Sequence, residues 1–105
     1  MKILFDQGVP VPLSQELPGW DITTAYRMGW SQLSNGALLA AAEQAEVDIF
    51  VTTDQNLRYQ QNLKDRRIGI VVLPTTCWPD IQPHAGKIRE ALKKVQSGDY
   101  LELTW

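Results

Sequence analysis

Residues 68–73, Ile-Gly-Ile-Val-Val-Leu, form the segment that most restricts the fold, because no polar side chain interrupts it. Such a run, followed by Pro74, is typical of a short β-strand that is buried on both faces. Strands of this kind occur mainly in parallel sheets that carry helices on each side. The sequence therefore predicts a parallel sheet. Its other strands are predicted at residues 2–5, 20–26, 47–53 and 100–105.

Helical patterns separate these strands. Ser34 is expected to cap a helix that ends near Glu46, since a serine at an N-cap accepts a backbone N–H of the first turn. A helix is also predicted over residues 9–17, where Pro10 and Pro12 fit only in the first turn. The remaining predicted helices cover residues 55–64 and 83–96.

The alternation of strands and helices determines the predicted architecture. It favours an α/β, three-layer fold with a mainly parallel sheet of about five strands flanked by helices and joined by right-handed crossovers. The last strand alternates polar and apolar residues, so it is expected at an edge of the sheet. A chain of 105 residues is long enough for one hydrophobic core. Residues 1–105 are therefore predicted to form a single domain.

Composition bears on the location of the protein. No apolar run approaches the roughly 20 residues that a membrane helix needs. Asp6 follows after three apolar residues, a pattern that does not fit a secretory signal. The single Cys77 cannot form an internal disulfide, which fits a reducing compartment. We therefore expect a cytoplasmic protein with no membrane partner.

Charge is distributed unevenly along the chain. Residues 1–57 contain two Lys and Arg against seven Asp and Glu, whereas residues 58–105 contain eight against five. The first part is thus suited to a cation and the second to a polyanion such as RNA. Solvated charge on the surfaces of helices explains the same distribution without any ligand.

Two aspartates follow predicted strands. Asp6 comes directly after the first strand and Asp54 directly after the third. Ligands of parallel α/β sheets bind beyond the carboxyl ends of strands, near the switch point of the strand order. Carboxylates at such a place suit Mg²⁺ or Mn²⁺, which activate water for phosphodiester hydrolysis. The alternative interpretation is that both aspartates cap helices or turns.

Three short motifs recur in one known family. The chain has Asp-Gln-Gly-Val-Pro after its first strand, Ser-Asn-Gly-Ala at the start of its long helix, and Thr-Thr-Asp-Gln-Asn-Leu after its third strand. These motifs resemble Asp-Glu-Asn-Leu-Pro, Ser-Asp-Glu-Glu and Thr-x-Asp-x-Asp-Phe of the PIN-like domain family of uncharacterised small bacterial proteins. That family is a domain of unknown function related to PIN-domain ribonuclease toxins. The resemblance covers most of the chain.

The resemblance implies a Mg²⁺- or Mn²⁺-dependent ribonuclease that acts as the toxin component of a toxin–antitoxin system, with an antitoxin protein as partner. Asp6 and Asp54 match the metal ligands, and Asn35 stands at a third catalytic position. The family has Glu, Asp and Asp where this chain has Gln7, Asn35 and Asn56. We therefore expect a partly neutralised site that binds the metal weakly. The alternative is a catalytically inactive PIN-like module that binds RNA or a protein partner.

Four arginines are candidates for nucleic-acid binding. Arg27 ends the second strand near the acids, and residues 58–67 add Arg58, Arg66 and Arg67 in a basic segment. The alternative interpretation is an exposed helix and turn with solvated charges. Two tryptophans in loops, Trp30 and Trp78, are further candidates for base stacking.

Two other predictions concern single features. Glu43, on the long helix, is a candidate to replace a missing acid if it faces Asp6 and Asp54, and the alternative is a solvated helix residue. The apolar C-terminal strand, ending in Leu-Thr-Trp, offers an unprotected sheet edge and so predicts a homodimer.

Overall fold

The computed structural model describes residues 1–60, 63 and 66–105 of the chain. In these residues five β-strands form one sheet in the order β2-β1-β3-β4-β5, and every neighbouring pair is parallel. The predicted α/β fold with about five mainly parallel strands is confirmed, and β5 lies at an edge as expected. The strands are β1 (Lys2–Phe5), β2 (Asp21–Thr24), β3 (Ile49–Thr52), β4 (Gly69–Val72) and β5 (Tyr100–Glu102).

Four α-helices and two 3₁₀ helices connect the strands within the described residues. None of these helices is long and apolar enough to cross a membrane. Part of the helix predicted over residues 55–64 falls on residues 61, 62 and 64, which lie outside the described residues. The α-helices are α1 (Asn35–Gln44), α2 (Leu57–Gln60), α3 (Trp78–Ile81) and α4 (Ala85–Lys94), and the 3₁₀ helices are Val11–Glu16 and Gln82–His84.

Two helical segments differ from the prediction. The segment predicted as a helix over residues 9–17 forms a 3₁₀ helix over Val11–Glu16, with Pro10 at its N-cap and Pro12 in its first turn. The Leu13 N–H donates to the Pro10 carbonyl, three residues back, at 3.1 Å. The single helix predicted over residues 83–96 is α4, which is preceded by the 3₁₀ turn that contains Pro83 and by α3.

The sheet lies between two helical layers, each with its own hydrophobic core. Strands β3 and β4 are buried along their whole length, as the apolar run over residues 68–73 predicts. On one face, the 3₁₀ helix Val11–Glu16 and α4 pack over Val51 and Val71. On the other face, α1 and α2 pack over Phe50 and Ile70. The carboxyl and amino ends of the strands are left as the two accessible sides of the sheet.

The connection from β4 to β5 has the opposite hand to the connection from β1 to β2. Both connections pack on the same face of the sheet, yet they run in opposite directions along the strand order. The prediction of right-handed crossovers throughout is therefore wrong. The physical reason is coverage, because a six-residue 3₁₀ helix spans only about 12 Å. The apolar side chains of β3 and β4 on that face need α4 to bury them.

Helix α1 begins as predicted and ends in a Schellman motif. The Ser34 hydroxyl accepts the Ala37 N–H at 3.4 Å. At the other end the Glu46 N–H donates to the Glu43 carbonyl, and the next N–H along the chain donates to the Ala42 carbonyl. Glu46 has a φ of 62°, in the left-handed region that favours glycine. The chain turns there and enters β3.

Candidate functional site

The candidate site lies at the carboxyl ends of β1 and β3. The order of the strands reverses between these two neighbours, since β2 lies on one side of β1 and β3 on the other. Asp6 directly follows β1, and its backbone N–H donates to the Val51 carbonyl of β3 at 2.9 Å. Asp54 comes two residues after the end of β3. Both aspartates therefore lie at the switch point, where parallel α/β sheets bind ligands.

The Thr52 side chain joins the two aspartates. Thr52 is fully buried at the end of β3, the only buried polar side chain of the core in the described residues. Its hydroxyl donates to Asp6 Oδ2 at 2.8 Å and accepts the Asp54 N–H at 3.1 Å. A buried hydroxyl needs such partners, so Thr52 holds the loop after β3 in register with the loop after β1.

Neutral groups supply the other hydrogen bonds to the two carboxylates. Asp6 Oδ1 accepts the Gln7 N–H at 2.8 Å, and Asp54 Oδ1 accepts the Asn56 N–H at 2.9 Å. Asn35, the first residue of α1, donates its side-chain amide to Asp54 Oδ2 at 2.9 Å. No lysine, arginine or histidine among the described residues forms an ion pair with either carboxylate. The negative charge of this pair is thus oriented, and no cation of the described residues compensates it.

Capping of helices or turns, the alternative role of the two aspartates, is observed for Asp54 but not for Asp6. Asp54 accepts the N–H two residues ahead, as in an Asx turn, just before α2. Asp6 does not cap the first helical segment, whose N-cap is Pro10. Local turn geometry therefore accounts for one hydrogen bond at Asp54. It does not account for the contact with Asn35, which comes from a different part of the chain.

The two carboxylates are the residues of the site that could hold a cation. Each carboxylate oxygen accepts one described hydrogen bond and retains a second lone pair. Oxygen ligands of this kind suit Mg²⁺ or Mn²⁺, which keep several waters when they bind to one or two carboxylates. In the part of the chain that the structure describes, no three Asp, Glu, His or Cys side chains come together.

Three loops pack together at the site. A Cβ placed on Gly8 would lie 2.2 Å from the Thr53 Oγ1, so the loops after β1 and β3 are in close contact. The Gln55 side-chain amide donates to the carbonyls of Thr53 and Leu73 and so connects the loop after β3 to the end of β4.

Two of the predicted RNA-binding arginines lie at the carboxyl end of the sheet. Arg27 is exposed in the turn after β2, where its backbone N–H donates to the Thr24 hydroxyl. Its guanidinium forms no ion pair or hydrogen bond with the described residues. Arg58, in α2, stacks over the Tyr59 ring and forms an ion pair with Glu102 at 3.4 Å. The hydrogen bond to the Tyr59 hydroxyl and the charge of Glu102 raise the pKa of Arg58. Both side chains are positive and accessible near the ends of the strands.

The other two predicted arginines lie at the opposite side of the sheet. Arg66 and Arg67 precede β4, at the amino ends of the strands. Arg66 forms an ion pair with Glu43 at 2.7 Å, and the Arg67 N–H donates to the same carboxylate at 2.8 Å. Glu43 therefore does not face Asp6 and Asp54, and it is an ion-paired residue instead of the solvated helix residue of the alternative interpretation. Its carboxylate contacts the two arginines because the segment that precedes β4 lies beside the end of α1.

The aromatic residues divide differently from the sequence prediction. Trp30 and Trp78 are partly buried and pack against the two cores, so their rings serve the fold. Tyr26 is 81% exposed and Tyr59 is 71% exposed. Tyr26 lies at the end of β2, beside Asp6. Its exposure depends on how the turn after β2 is oriented, and the alternation of residues within a strand does not reveal that.

Comparisons with known proteins give no further identification. No family model, no curated protein and no solved structure matches this chain. The fold and site define an α/β protein with a five-stranded parallel sheet and an acidic switch point. The PIN-like assignment stays a prediction from the three motifs.

Proposed function

We propose that this chain is a PIN-like protein that hydrolyses RNA with one Mg²⁺ or Mn²⁺ ion held by Asp6 and Asp54. The observation that carries the proposal is the charge of these two carboxylates at the switch point, which no ion pair of the described residues compensates. Two acids that are held together by neutral donors attract a cation more strongly than acids already paired with arginine or lysine. The same fold neutralises Glu43 with Arg66, so charge compensation is available elsewhere in the molecule.

In this proposal each residue has a defined task. Asp6 and Asp54 bind the ion, which supplies charge stabilisation at the phosphate and lowers the pKa of water. Thr52 and Asn35 orient the carboxylates by the hydrogen bonds described above, as groups around metal ligands commonly do. Arg27 binds a phosphate of the RNA on the same side of the sheet.

Calorimetric titration with Mn²⁺ tests the site. We expect one ion per chain, with an affinity that falls at least tenfold in Asp6→Asn and in Asp54→Asn. Asp21→Asn is the matched control, because Asp21 is exposed at the amino end of β2 and should not affect binding. Cleavage of a single-stranded RNA should require Mn²⁺ and be lost in Asp6→Asn. A native chain that binds no Mn²⁺, or an Asp6→Asn variant that binds it unchanged, would rule out the metal site.

The resemblance of the three motifs to the PIN-like family also supports a proposal for the role of the protein in the cell. The protein acts in the cytoplasm as the toxin of a toxin–antitoxin pair and is inhibited by an antitoxin protein. Expression should then arrest bacterial growth, and Asp6→Asn should relieve the arrest. A short frame encoding a DNA-binding antitoxin beside the gene would support this reading. Growth arrest that persists in Asp6→Asn would contradict it.

A second candidate function is metal-independent RNA binding. It is favoured by the neutral amide of Asn35 against Asp54, in the position where the resembling family has an acid. RNA affinity would then survive EDTA, fall with rising salt, and decrease in Arg27→Ala and Arg58→Ala. Arg67→Ala serves as control, since Arg67 lies at the other end of the sheet. Loss of RNA binding in EDTA would exclude this candidate.

The predicted homodimer is part of the same proposal. Strand β5 lies at an edge, with Leu101 and Trp105 each more than one third exposed. Pairing of two β5 edges would cover these side chains and the free backbone groups. Light scattering on the purified chain should give the mass of a dimer, and Leu101→Lys should give a monomer. A monomeric native chain would contradict the dimer.

A further inference from the structure

A small pocket opens beside Asp6, between the carboxyl ends of β1 and β2. Its volume is about 300 Å³, and its lining residues are Asp6, Gln7, Val9, Val11, Thr24 and Tyr26. This volume is at the lower limit for pockets that bind small organic ligands. The pocket is therefore suited to one ring system and not to a larger cofactor.

The pocket combines apolar walls with an exposed aromatic ring. Val9 and Val11 provide aliphatic surface, and Val11 is 61% exposed although it is apolar. Tyr26 is 81% exposed, and no ring contact involves it among the described residues. An exposed aromatic ring beside aliphatic side chains is the usual surface on which an unpaired base stacks.

The charges around the pocket suit a nucleotide. Arg27 follows Tyr26 in the chain, and its exposed side chain has no described anionic partner. It is therefore available to a phosphate. Among the lining residues, Asp6 and Thr24 offer a carboxylate and a hydroxyl to the edge of a base. An apolar peptide side chain would use the walls but would offer nothing to the arginine and these polar groups.

From this arrangement we infer that the pocket binds one unpaired nucleobase of a single-stranded RNA, stacked on Tyr26, with its phosphate on Arg27. The inference rests on the proposed function, because Asp6 belongs both to this pocket and to the metal site. A base in the pocket brings the adjoining phosphodiester of the same strand to Asp6 and Asp54. The pocket thus selects single-stranded over duplex RNA, whose bases are stacked and inaccessible.

Nuclear magnetic resonance titration with adenosine 5′-monophosphate in EDTA tests the pocket without the metal. We expect shifts of the Val9, Val11 and Tyr26 resonances. Ribose 5-phosphate at the same concentration supplies only the phosphate for Arg27, so it should leave the Val9 and Val11 resonances unshifted. Tyr26→Ala should weaken binding about tenfold or more, and Tyr26→Phe should retain it, because stacking needs the ring and not the hydroxyl. Tyr59→Ala is the matched control, since Tyr59 is similarly exposed but lies outside the pocket.

Three results would overturn the inference. They are the absence of shifts at the pocket, equal shifts with ribose 5-phosphate, and an unchanged affinity in Tyr26→Ala. Titration of Tyr26→Ala with Mn²⁺ separates this failure from failure of the metal site, since the variant should bind Mn²⁺ as the native chain does. Conversely, Asp54→Asn should lose Mn²⁺ and still bind adenosine 5′-monophosphate.

Discussion

Glu43 at the amino end of the parallel sheet and the Asp6–Asp54 pair at the carboxyl end are held in opposite ways. At the amino end, Glu43 is held by the Arg66 guanidinium and the Arg67 N–H, and the Lys2 ammonium donates to the last turn of α1. At the carboxyl end, Asp6 and Asp54 receive hydrogen bonds from a hydroxyl, an amide and backbone N–H groups. Both sets of carboxylates are well satisfied as acceptors, yet only the first is neutralised among the described residues.

This difference suggests different roles for the two sets of acids, one in holding the fold together and one in binding a cation. An ion pair at the junction of α1 and β4 joins two elements of the fold and leaves little net charge. Two acids that are oriented by neutral donors keep their charge, which costs stability unless a cation binds. We therefore expect the Glu43 ion pair to stabilise the fold and the Asp6–Asp54 pair to bind the proposed cation.

The largest effect is expected for Arg66→Ala. The Glu43 side chain is 15% exposed, and the substitution removes the guanidinium that forms an ion pair with its carboxylate. We expect the free energy of unfolding in urea to fall by about 2 kcal/mol. Arg67→Ala is the matched control, because Arg67 contributes its backbone N–H, and it should cost less than about 0.5 kcal/mol. Equal losses in the two variants would mean that the ion pair does not stabilise the amino end.

Neutralisation of one acid at each end tests the comparison directly. Glu43→Gln should lower the free energy of unfolding by about 1 kcal/mol, because it removes the charge that pairs with Arg66. Asp6→Asn should change it by less than about 0.5 kcal/mol without metal, because relief of charge offsets weaker hydrogen bonds. Urea denaturation at neutral pH in EDTA gives both values. If Asp6→Asn costs as much as Glu43→Gln, the two ends do not differ in this respect.

Low pH should remove the difference in the free energy of unfolding between the native chain and Glu43→Gln. Partial burial raises the pKa of the Glu43 carboxyl, but the Arg67 N–H and the Arg66 guanidinium outweigh it and place the pKa below the ordinary value of 4.5. The folded chain thus binds this proton less readily than the unfolded chain. The stabilisation is complete above pH 4.5 and is lost as the pH falls through the lower folded pKa. Thermal unfolding of both proteins from neutral pH to below pH 4.5 measures this difference in stability. A difference that grows as the pH falls would contradict the stabilising role of the Glu43 carboxylate.

The smallest expected effect concerns Glu46 at the end of α1. Its φ of 62° is unfavourable for a residue with a side chain, so Glu46→Gly should raise the free energy of unfolding by about 0.5 kcal/mol. Gln44→Gly, two residues earlier and still helical, should lower it by a similar amount. Urea denaturation compares the two. Destabilisation by both glycines would show that the turn carries no strain.

Local patterns predicted most of the secondary structure. The N-cap at Ser34 and the buried strand β4 depend on neighbouring residues, which is why they were predictable. The strand order and the opposite hand of the last connection depend on which apolar faces remain uncovered after the first helices pack. No short segment contains that information.

Part of the candidate site was also predicted from local sequence patterns, and part was not. Asp6 and Asp54 were identified because each follows an apolar strand, and parallel strands bring their carboxyl ends to one side. Thr52 was not distinguished from its neighbours, and its buried hydrogen bonds appear only when β1 and β3 pair. Glu43 was misplaced because the residue that neutralises it, Arg66, is 23 positions away in the sequence.

The sequence by itself determined that apolar strands alternate with helices and that two aspartates stand at strand ends. These features follow from side-chain chemistry and from the spacing of neighbouring residues. Only the tertiary structure decided which charges are compensated, because ion pairs form between segments that are distant along the chain. It also decided that Tyr26 stays exposed beside Asp6, since burial depends on what packs over a residue and not on its type.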